Sequence, residues 1–408
     1  MAKNNKASKR ILSVVTILLC IVLVFGCIYS KVSGSKRSAM TADSNNVSSV
    51  SQESTEPEKK GTTSARMVCA GDNLIHQAIY TQAKSRGTNG GYDFSYAYKD
   101  VADLVGSADI SFLNQETVIA PSKPVSSFPL FNSPPELLDE MIKIGFDVFN
   151  QSTNHVMDKQ VSGAIEDYDL FHSKKDIILT GLYKTWDEMF IPQTMTRNDI
   201  TFSFVGFTEY LNGLVVPKDS DLGLVYLTDT RHTKDELYET MQKMIDIAKK
   251  NSDIVCVSMH WQQEDITAPN DSQKEIVNKL VEMGADIIIG TGPHVLQPME
   301  YITREDGSKV LVIWSLGNFI STQQNKPNLL GGLADVTVEK NYDTGKTYVS
   351  KAGFIPTVTH YGGGRSNVRI IPFTKYDTTL AASHGAGISY SYIEKFYKDM
   401  FGDFLELN

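Results

Sequence analysis

The sequence predicts an α/β fold, because short β-branched segments alternate with amphipathic helical segments from Ala65 onward. Several of the predicted strands end directly in Asp, Asn, Glu or His, which is where ligands bind in layered α/β proteins. The chain has 408 residues, of which 41% are hydrophobic and 21% are charged. This composition is typical of a globular protein with a large core.

The overall charge and the cysteine count exclude two classes of protein. There are 39 Lys and Arg against 48 Asp and Glu, and a net charge of -9 does not suit a nucleic-acid partner. Four cysteines in a chain of this length are too few for a disulfide framework. Cys69 and Cys256 lie in apolar, strand-like segments, so we expect both to be buried free thiols.

The N-terminus predicts a location at the cell membrane. Residues 1–10 form a basic flank, and residues 11–29 form an uninterrupted apolar run that would span roughly 28 Å as a helix, about one hydrocarbon core. We therefore predict a single-pass signal anchor, with the flank in the cytoplasm and the C-terminal body outside the cell. A cleaved signal peptide and lipoprotein processing at Gly26-Cys27 are the alternatives, although Phe25 is bulky for the latter.

A change of composition follows the apolar run. Residues 30–64 are rich in Ser, Thr, Asn, Glu and Lys and cannot bury enough apolar surface to offset their chain entropy. They are predicted to be a disordered tether with an end-to-end distance of about 30 Å. The folded body is predicted at residues 65–375.

Within the body, strands and helices are assigned from the period of the apolar residues. The predicted strands are residues 67–70, 109–113, 147–149, 178–180, 201–207, 254–259, 287–289 and 310–314, and the predicted helices are residues 134–144, 234–250 and 272–283. Residues 332–372 are predicted to form antiparallel strands. Residues 376–408 form a C-terminal helical extension whose apolar stripe packs on the core or, alternatively, docks on a membrane partner.

Polar side chains at the predicted strand ends indicate a metal site. They include Asp72, Glu116, Asn154 with His155, His260 and His294. Oxygen and nitrogen ligands without thiolates suit Mn, Fe, Zn or Mg, as one or two ions. Such ions polarise a phosphoryl or acyl oxygen and activate water, while His155 could protonate a leaving group. Arg365, after three glycines, could bind an anionic substrate. There is no P-loop, His-Glu-x-x-His or Gly-x-Ser-x-Gly motif.

The motifs together resemble the CapA family, the poly-γ-glutamate capsule biosynthesis proteins, which is related to the calcineurin-like metallophosphoesterases. The resemblance rests on the segments Gly71-Asp72-Asn73, Asn114-Gln115-Glu116, Gly145-Phe146-Asp147, Asn154-His155 with Asp158, His260-Trp261 with Glu264, Gly284-Ala285-Asp286, Pro293-His294-Val295, Ser315 to Phe319 and Pro356 to His360.

The resemblance implies a four-layer α/β sandwich of the metallophosphoesterase type. By analogy the metal ligands would be Asp72, Glu116, Asn154, His260 and His294, and the catalytic residues His155 and Glu264. Substrate contacts are expected from Asn114, Asn318, His360 and Arg365. Three departures from the family pattern affect the ligand set, namely Leu74 and Gly292 at positions that hold His in related proteins, and Gln262 after the His-Trp pair, where the family has Gly.

The sequence leaves three functional hypotheses open. The first is a membrane-anchored extracellular accessory protein for synthesis, assembly or export of an anionic exopolymer such as poly-γ-glutamate, working with membrane-embedded polymer synthesis or export proteins. The second is a metal-dependent hydrolase of phosphoesters or of the polymer. The third is a protein that binds the polymer or a partner without catalysis, through an incomplete metal site.

Overall fold

The computed structural model describes residues 59–407. No helix in that range is long and apolar enough to cross a bilayer. The predicted flank at 1–10, the anchor at 11–29 and the tether up to residue 58 lie outside the described residues. The first strand begins at Thr62, so the last three residues of the predicted tether pair with a neighbouring strand. Their polar side chains do not prevent this, because strand pairing uses backbone groups.

Fourteen strands form two sheets within residues 59–407. In chain order they are β1 Thr62–Asn73, β2 Ile110–Asn114, β3 Val148–Asn150, β4 Ile178–Thr180, β5 Gln193–Arg197, β6 Ile200–Thr208, β7 Ile254–His260, β8 Ile287–Thr291, β9 Leu296–Thr303, β10 Lys309–Leu316, β11 Asn318–Ile320, β12 Leu330–Asn341, β13 Lys346–Gly362 and β14 Ser366–Pro372. The first sheet has the order β14-β13-β12-β1-β2-β3-β4, with β11 also on β1, and the second has β5-β6-β7-β8-β10-β9.

Nine α-helices flank the sheets within the described residues: α1 Gln77–Arg86, α2 Ser95–Tyr98, α3 Ala102–Gly106, α4 Glu136–Ile144, α5 Gln160–His172, α6 Lys234–Asn251, α7 Asp271–Met283, α8 Thr378–Ser383 and α9 Tyr390–Phe401. Helices α6 and α7, which pack on the second sheet, begin with capping boxes at Thr233 and Asn270. These boxes satisfy backbone N–H groups that no helical carbonyl can reach.

The apolar residues form layers that run helix, sheet, sheet, helix. One core joins the facing sides of the two sheets, for example through Phe112 and Phe204. A second core lies between the first sheet and helices α1 to α5, and a third between the second sheet and helices α6 and α7. The predicted α/β class is therefore confirmed. Cys69 and Cys256 are free and buried, as expected.

The C-terminal helix α9 belongs to the core between the sheets. It buries Ile393, Tyr397 and Phe401, and Phe401 stacks on Phe354 of β13 at 3.6 Å between ring centroids. Tyr397 also donates to the backbone oxygen of Thr357 at 2.5 Å. The apolar stripe predicted for residues 376–408 therefore packs on the chain's own body.

The strand register aligns polar residues at one edge of each sheet. In the first sheet Asn318, Asp72, Asn114 and Asn150 are neighbours in a single row across the ends of β11, β1, β2 and β3. In the second sheet Thr208, His260 and Thr291 form a matching row across the ends of β6, β7 and β8. Parallel strands end at the same edge, so this edge is where a ligand site is expected.

Candidate metal centre

Asp72 is held from both sheets at the end of β1. It is completely buried, and its Oδ1 accepts a hydrogen bond of 2.8 Å from Asn114 Nδ2 in the same sheet. The backbone N–H of Gly292, which follows β8 in the other sheet, lies 3.2 Å from both carboxylate oxygens. These donors fix the orientation of the carboxylate in the centre of the site.

Glu116 is a buried carboxylate without a hydrogen-bond donor. Neither of its oxygens has a hydrogen-bond partner among residues 59–407, although the side chain is fully buried. Three imidazole nitrogens surround Oε1: His294 Nε2 at 3.6 Å, and His155 Nε2 and His260 Nε2 at 4.0 Å each. A buried carboxylate in this position is neutralised either by a proton, since burial raises the pKa of Glu116, or by a cation.

The distances around Glu116 fit a shared cation. They are too long for hydrogen bonds, but they suit pairs of atoms that each lie about 2.1 Å from the same ion. One ligand atom from each of Asp72, Glu116 and His294 lies within 4.8 Å of the others. These residues could therefore hold a divalent metal ion. Carboxylate and imidazole ligands are compatible with several first-row metals.

His260 and Asn154 complete the group of predicted ligands. His260 Nε2 lies 3.0 Å from Asn154 Oδ1, and its Nδ1 lies 3.1 Å from Thr291 Oγ1. Burial lowers the pKa of His260 to about 3, so its ring is neutral near pH 7, as a metal ligand must be. The structure thus brings all five predicted ligand residues together, with Asn154 and His260 in contact with each other.

His294 is positioned by a short network on the opposite side of Glu116. Its backbone has a left-handed φ of 60°, and its Nδ1 lies 3.2 Å from Asp72 Oδ2 and 3.1 Å from Asn318 Oδ1. Burial alone would lower the pKa of His294, but the charges of Glu116 and Asp72 outweigh burial and raise it to about 10. In the metal-free site His294 therefore carries a proton that a cation would displace.

His155 is oriented toward the same point. Its Nδ1 lies 2.7 Å from Asp158 Oδ2, which also accepts from the backbone N–H of Phe131 at 2.6 Å. The Phe131 ring meets the imidazole edge-on, with 4.7 Å between centroids. The amide nitrogen of Asn212 lies 3.4 Å from both ring nitrogens, a position above the ring. Nε2 is left facing Glu116 Oε1 at 4.0 Å, on the side where the predicted ligands meet.

The mouth of the site carries Glu264 and two residues that the sequence analysis did not identify. Glu264 is exposed and accepts from the Tyr210 hydroxyl at 3.3 Å. Asn154 Nδ2 lies 3.3 Å from that hydroxyl and 3.3 Å from Asn212 Oδ1. Tyr210 and Asn212 belong to the irregular segment after β6, which has no periodic pattern. The only sequence signal for this segment is its position directly after a predicted strand.

The predicted substrate-binding residues fall into two groups. Asn114 and Asn318 lie in the site, but their polar atoms bind protein groups: Asn114 Oδ1 accepts from Asn150, and Asn318 Nδ2 donates to Asn328 O. They act as positioning residues. The structure does not bring His360 to the ligands, since its ring bonds the Tyr376 hydroxyl at 3.0 Å. Arg365 lies on a neighbouring turn, close enough to interact electrostatically with His76.

Gly292 stands where related proteins have His, and this difference has a steric explanation. The residue has a φ of 101°, and a Cβ atom there would lie 2.5 Å from Trp261 O and 3.1 Å from His260 Nε2. An imidazole therefore cannot occupy this position, and Gly292 contributes its N–H to Asp72 instead. Leu74 is buried in the fold and does not join the site. His76 lies beside the site, on Phe131, with ring centroids 5.3 Å apart.

Comparison with known sequences identifies related proteins. The family described as "Bacterial capsule synthesis protein PGA_cap" matches residues 66–323. The PGA biosynthesis protein CapA of Bacillus subtilis (strain 168) is 31% identical over 180 residues, 44% of this chain and 44% of that protein. The capsule biosynthesis protein CapA of Bacillus anthracis is 27% identical over 189 residues, 46% of this chain and 43% of that protein. The match thus spans less than half the length of these relatives.

Comparison with solved structures gives distant overlaps. A novel phosphatase from Mycoplasma pneumoniae shares 15% of its sequence and superposes with a TM-score of 0.41, over 73% of this chain and 94% of that one. A hypothetical protein from Thermus thermophilus shares 10% and superposes with a TM-score of 0.40, over 71% of this chain and 98% of that one. Overlaps this distant say nothing about the chemistry of the site.

Proposed function

We propose, from the premise that this chain belongs to the bacterial capsule synthesis protein family, that it acts in the synthesis of an anionic capsule-type polymer as a metal-dependent hydrolase. The relatives named for capsule and PGA biosynthesis support the polymer, with poly-γ-glutamate as the first candidate. The bond cleaved would be in the polymer or in a phosphoester, and the fold would be of the metallophosphoesterase type.

The hydrolase proposal rests on the surroundings of Glu116. Two buried carboxylate oxygens without a donor face imidazole nitrogens at 3.6 to 4.0 Å. Asp72, Glu116 and His294 would hold the ion, with His260 and Asn154 completing its coordination. A divalent cation at this point would polarise a substrate oxygen and lower the pKa of a water molecule.

The chain's own residues would prepare the reaction. Asp158 accepts at His155 Nδ1 and would stabilise the doubly protonated ring, whose Nε2 proton could pass to a leaving group. Asn318 and Asp72 hold His294 on the other side, and the N–H of Gly292 keeps Asp72 in place. The Tyr210 hydroxyl and Glu264 would contact substrate at the mouth.

We also propose where the protein works. Residues 11–29 would anchor the chain in the membrane, and the body would lie outside the cell on the tether. This position would let the site reach polymer as it leaves membrane-embedded synthesis or export proteins.

The function is tested with the purified full-length chain in detergent. We expect a bound or readily reconstituted divalent metal by elemental analysis, and metal-dependent shortening of poly-γ-glutamate or cleavage of a phosphodiester. Asp72→Ala should lose both properties. A wild-type protein that takes up no metal, or activity that survives Asp72→Ala, would contradict the proposal.

Polymer binding without catalysis is the second candidate function. It is favoured by Gly292 and Leu74, which leave the site with fewer imidazoles than the family pattern. It would be supported if the wild-type chain binds poly-γ-glutamate but shows no turnover of either substrate at saturating Mn²⁺ or Zn²⁺.

A further inference from the structure

A groove of about 890 Å³ opens on the surface next to the metal centre. One wall is helix α1, with Gln77, Thr81 and Arg86, and the other is the turn between β13 and β14, with Arg365 and Asn367. The two walls are fixed to each other, because the Gln82 side chain both donates to Val368 O and accepts from Val368 N, at 2.7 Å each.

The groove is positively charged. None of its lining residues, all in the described part of the chain, is acidic, and two of them are arginines. Arg86 is held across the groove by a 3.0 Å bond to Asn367 Oδ1 and stacks on the Tyr96 ring at 4.1 Å. This contact leaves most of its N–H donors unused.

Arg365 is the second cation and is not engaged. Its guanidinium forms no hydrogen bond or ion pair with any residue in 59–407. The residue has a left-handed φ of 57° in a turn where Gly364 and Asn367 are also left-handed, at 64° and 54°. The turn therefore holds a free guanidinium at the groove.

One end of helix α1 connects the groove to residues beside the metal centre. Its lining begins at Gln77, and the preceding residue, His76, packs on Phe131, which in turn packs on His155. The charge of Arg365 also acts on His76 together with those of His294 and His155. Helix α1 thus connects the groove to the residues that pack on His155.

We propose that this groove is a second binding site, separate from the metal ligands, that holds an anionic polymer chain through Arg86 and Arg365 and guides it toward the metal centre. This proposal rests on the proposed function for the polymer, but the groove would bind without metal. Guanidinium groups bind carboxylates through paired N–H donors.

The expected ligand is a chain of carboxylates. Two cations among neutral polar side chains match single negative charges that are widely spaced. A polyphosphate carries a charge on every phosphate, and most of these would remain unpaired in this groove. Polyphosphate is therefore the competing ligand in the test.

The test measures binding of fluorescein-labelled poly-γ-glutamate to the full-length chain in detergent, by anisotropy with EDTA present. The double variant Arg86→Gln/Arg365→Asn removes both charges, and asparagine tolerates the left-handed backbone at 365. We expect binding at least tenfold weaker. Arg365→Asn alone, which breaks no hydrogen bond and should leave the fold intact, is expected to weaken binding several-fold.

The matched control is Lys175→Gln/Lys250→Gln, which removes two exposed charges elsewhere and should change binding less than twofold. Unchanged binding in the groove variants, or an equal loss in the control, would overturn the proposal. Stronger competition by polyphosphate than by unlabelled poly-γ-glutamate would overturn the ligand assignment. Asp72→Ala should bind labelled poly-γ-glutamate like the wild type, because the groove does not need the metal. A failure of the hydrolase proposal can therefore be distinguished from a failure of the groove proposal.

Discussion

At the scale of single residues, the surroundings of Glu116 fit a cation. Its carboxyl group is buried without a hydrogen-bond donor, and the nearest imidazole nitrogen, His294 Nε2, lies 3.6 Å from Oε1. Burial raises the pKa of Glu116, so the metal-free site favours the protonated carboxyl, and a bound ion would have to displace that proton.

We therefore predict that Glu116→Gln affects only the metal-bound state of the protein. The metal-free variant should unfold at about the same temperature as the wild type, because burial raises the pKa of Glu116 and glutamine resembles the protonated carboxyl group. The stabilisation by added metal should vanish. Thermal unfolding with and without Zn²⁺ measures both. The control Glu282→Gln, on the exposed face of α7, should behave as the wild type, and retained metal stabilisation in Glu116→Gln would refute the assignment.

Asp158 positions His155 and should matter for turnover alone. Asp158→Asn keeps the shape and can still accept from Phe131 N, but it loses the charged contact to His155 Nδ1. We expect kcat to fall about 10- to 100-fold, with metal content and KM nearly unchanged. Steady-state kinetics with elemental analysis tests this. If Asp158→Asn loses metal, Asp158 helps to hold the ion and does not act through His155 alone.

The ligand residues could be predicted from sequence because each follows a strand in the chain. Asp72 is the second-last residue of β1 and His260 the last residue of β7, and parallel strands end at one edge. Tyr210 and Asn212 could not be predicted, because the segment after β6 is irregular and its path over Asn154 depends on tertiary packing. The contact between Asn154 and His260 also arises only from the folded geometry.

At the scale of elements, the loop between β8 and β9 determines which ligands the site can have. Gly292 approaches the backbone of Trp261 and the ring of His260 so closely that only glycine fits. The loop supplies a backbone N–H where the family pattern supplies an imidazole.

We predict that Gly292→Ala destabilises the protein by about 2 to 4 kcal/mol and abolishes metal binding. The added Cβ meets fixed backbone atoms at 2.5 and 2.9 Å, and the φ of 101° adds strain. Gly307→Ala is the control, since its φ is 82° but no atom lies within 4 Å of the added carbon. It should lose only about 1 kcal/mol. Denaturant unfolding compares the two, and equal losses would rule out the steric explanation.

The strand order also explains why His360 misses the site. It lies at the same edge as the end of β1, because β12 and β13 each reverse direction. However, strand β12 lies between it and Asp72, and two inter-strand spacings amount to roughly 10 Å across the sheet. Sequence motifs give the edge but not the number of intervening strands. The short strand β11, which pairs Asn318 with Asp72, could not be predicted either, because three residues are too few to show an apolar period.

At the scale of the whole molecule, metal binding should be linked to pH and to stability. Without metal, the pKa of His294 is raised to about 10. Its contribution to stability is therefore complete below about pH 6.5 and is lost as the pH rises through about 10. Metal binding must remove this proton, so low pH weakens binding.

We predict that metal affinity rises at least tenfold per pH unit between pH 6 and 8, with one or two protons released per ion bound, from His294 and from Glu116. Calorimetry in buffers of different ionisation enthalpy measures the proton count. At a hundred times its dissociation constant, the metal should stabilise the fold by about 2.7 kcal/mol. Binding that releases no proton would mean that His294 is not a ligand.

If Asp72, Glu116, Asn154, His260 and His294 surround one cation site, an ion bound there can be located in the crystal. Anomalous diffraction from crystals of the protein soaked in Zn²⁺ or Mn²⁺ tests this. We expect a peak about 2.0 to 2.3 Å from oxygens of Asp72 and Glu116 and from a nitrogen of His294. Saturated crystals with no peak at the ends of β1, β2 and β7, or with the ion bound only elsewhere, would contradict the account.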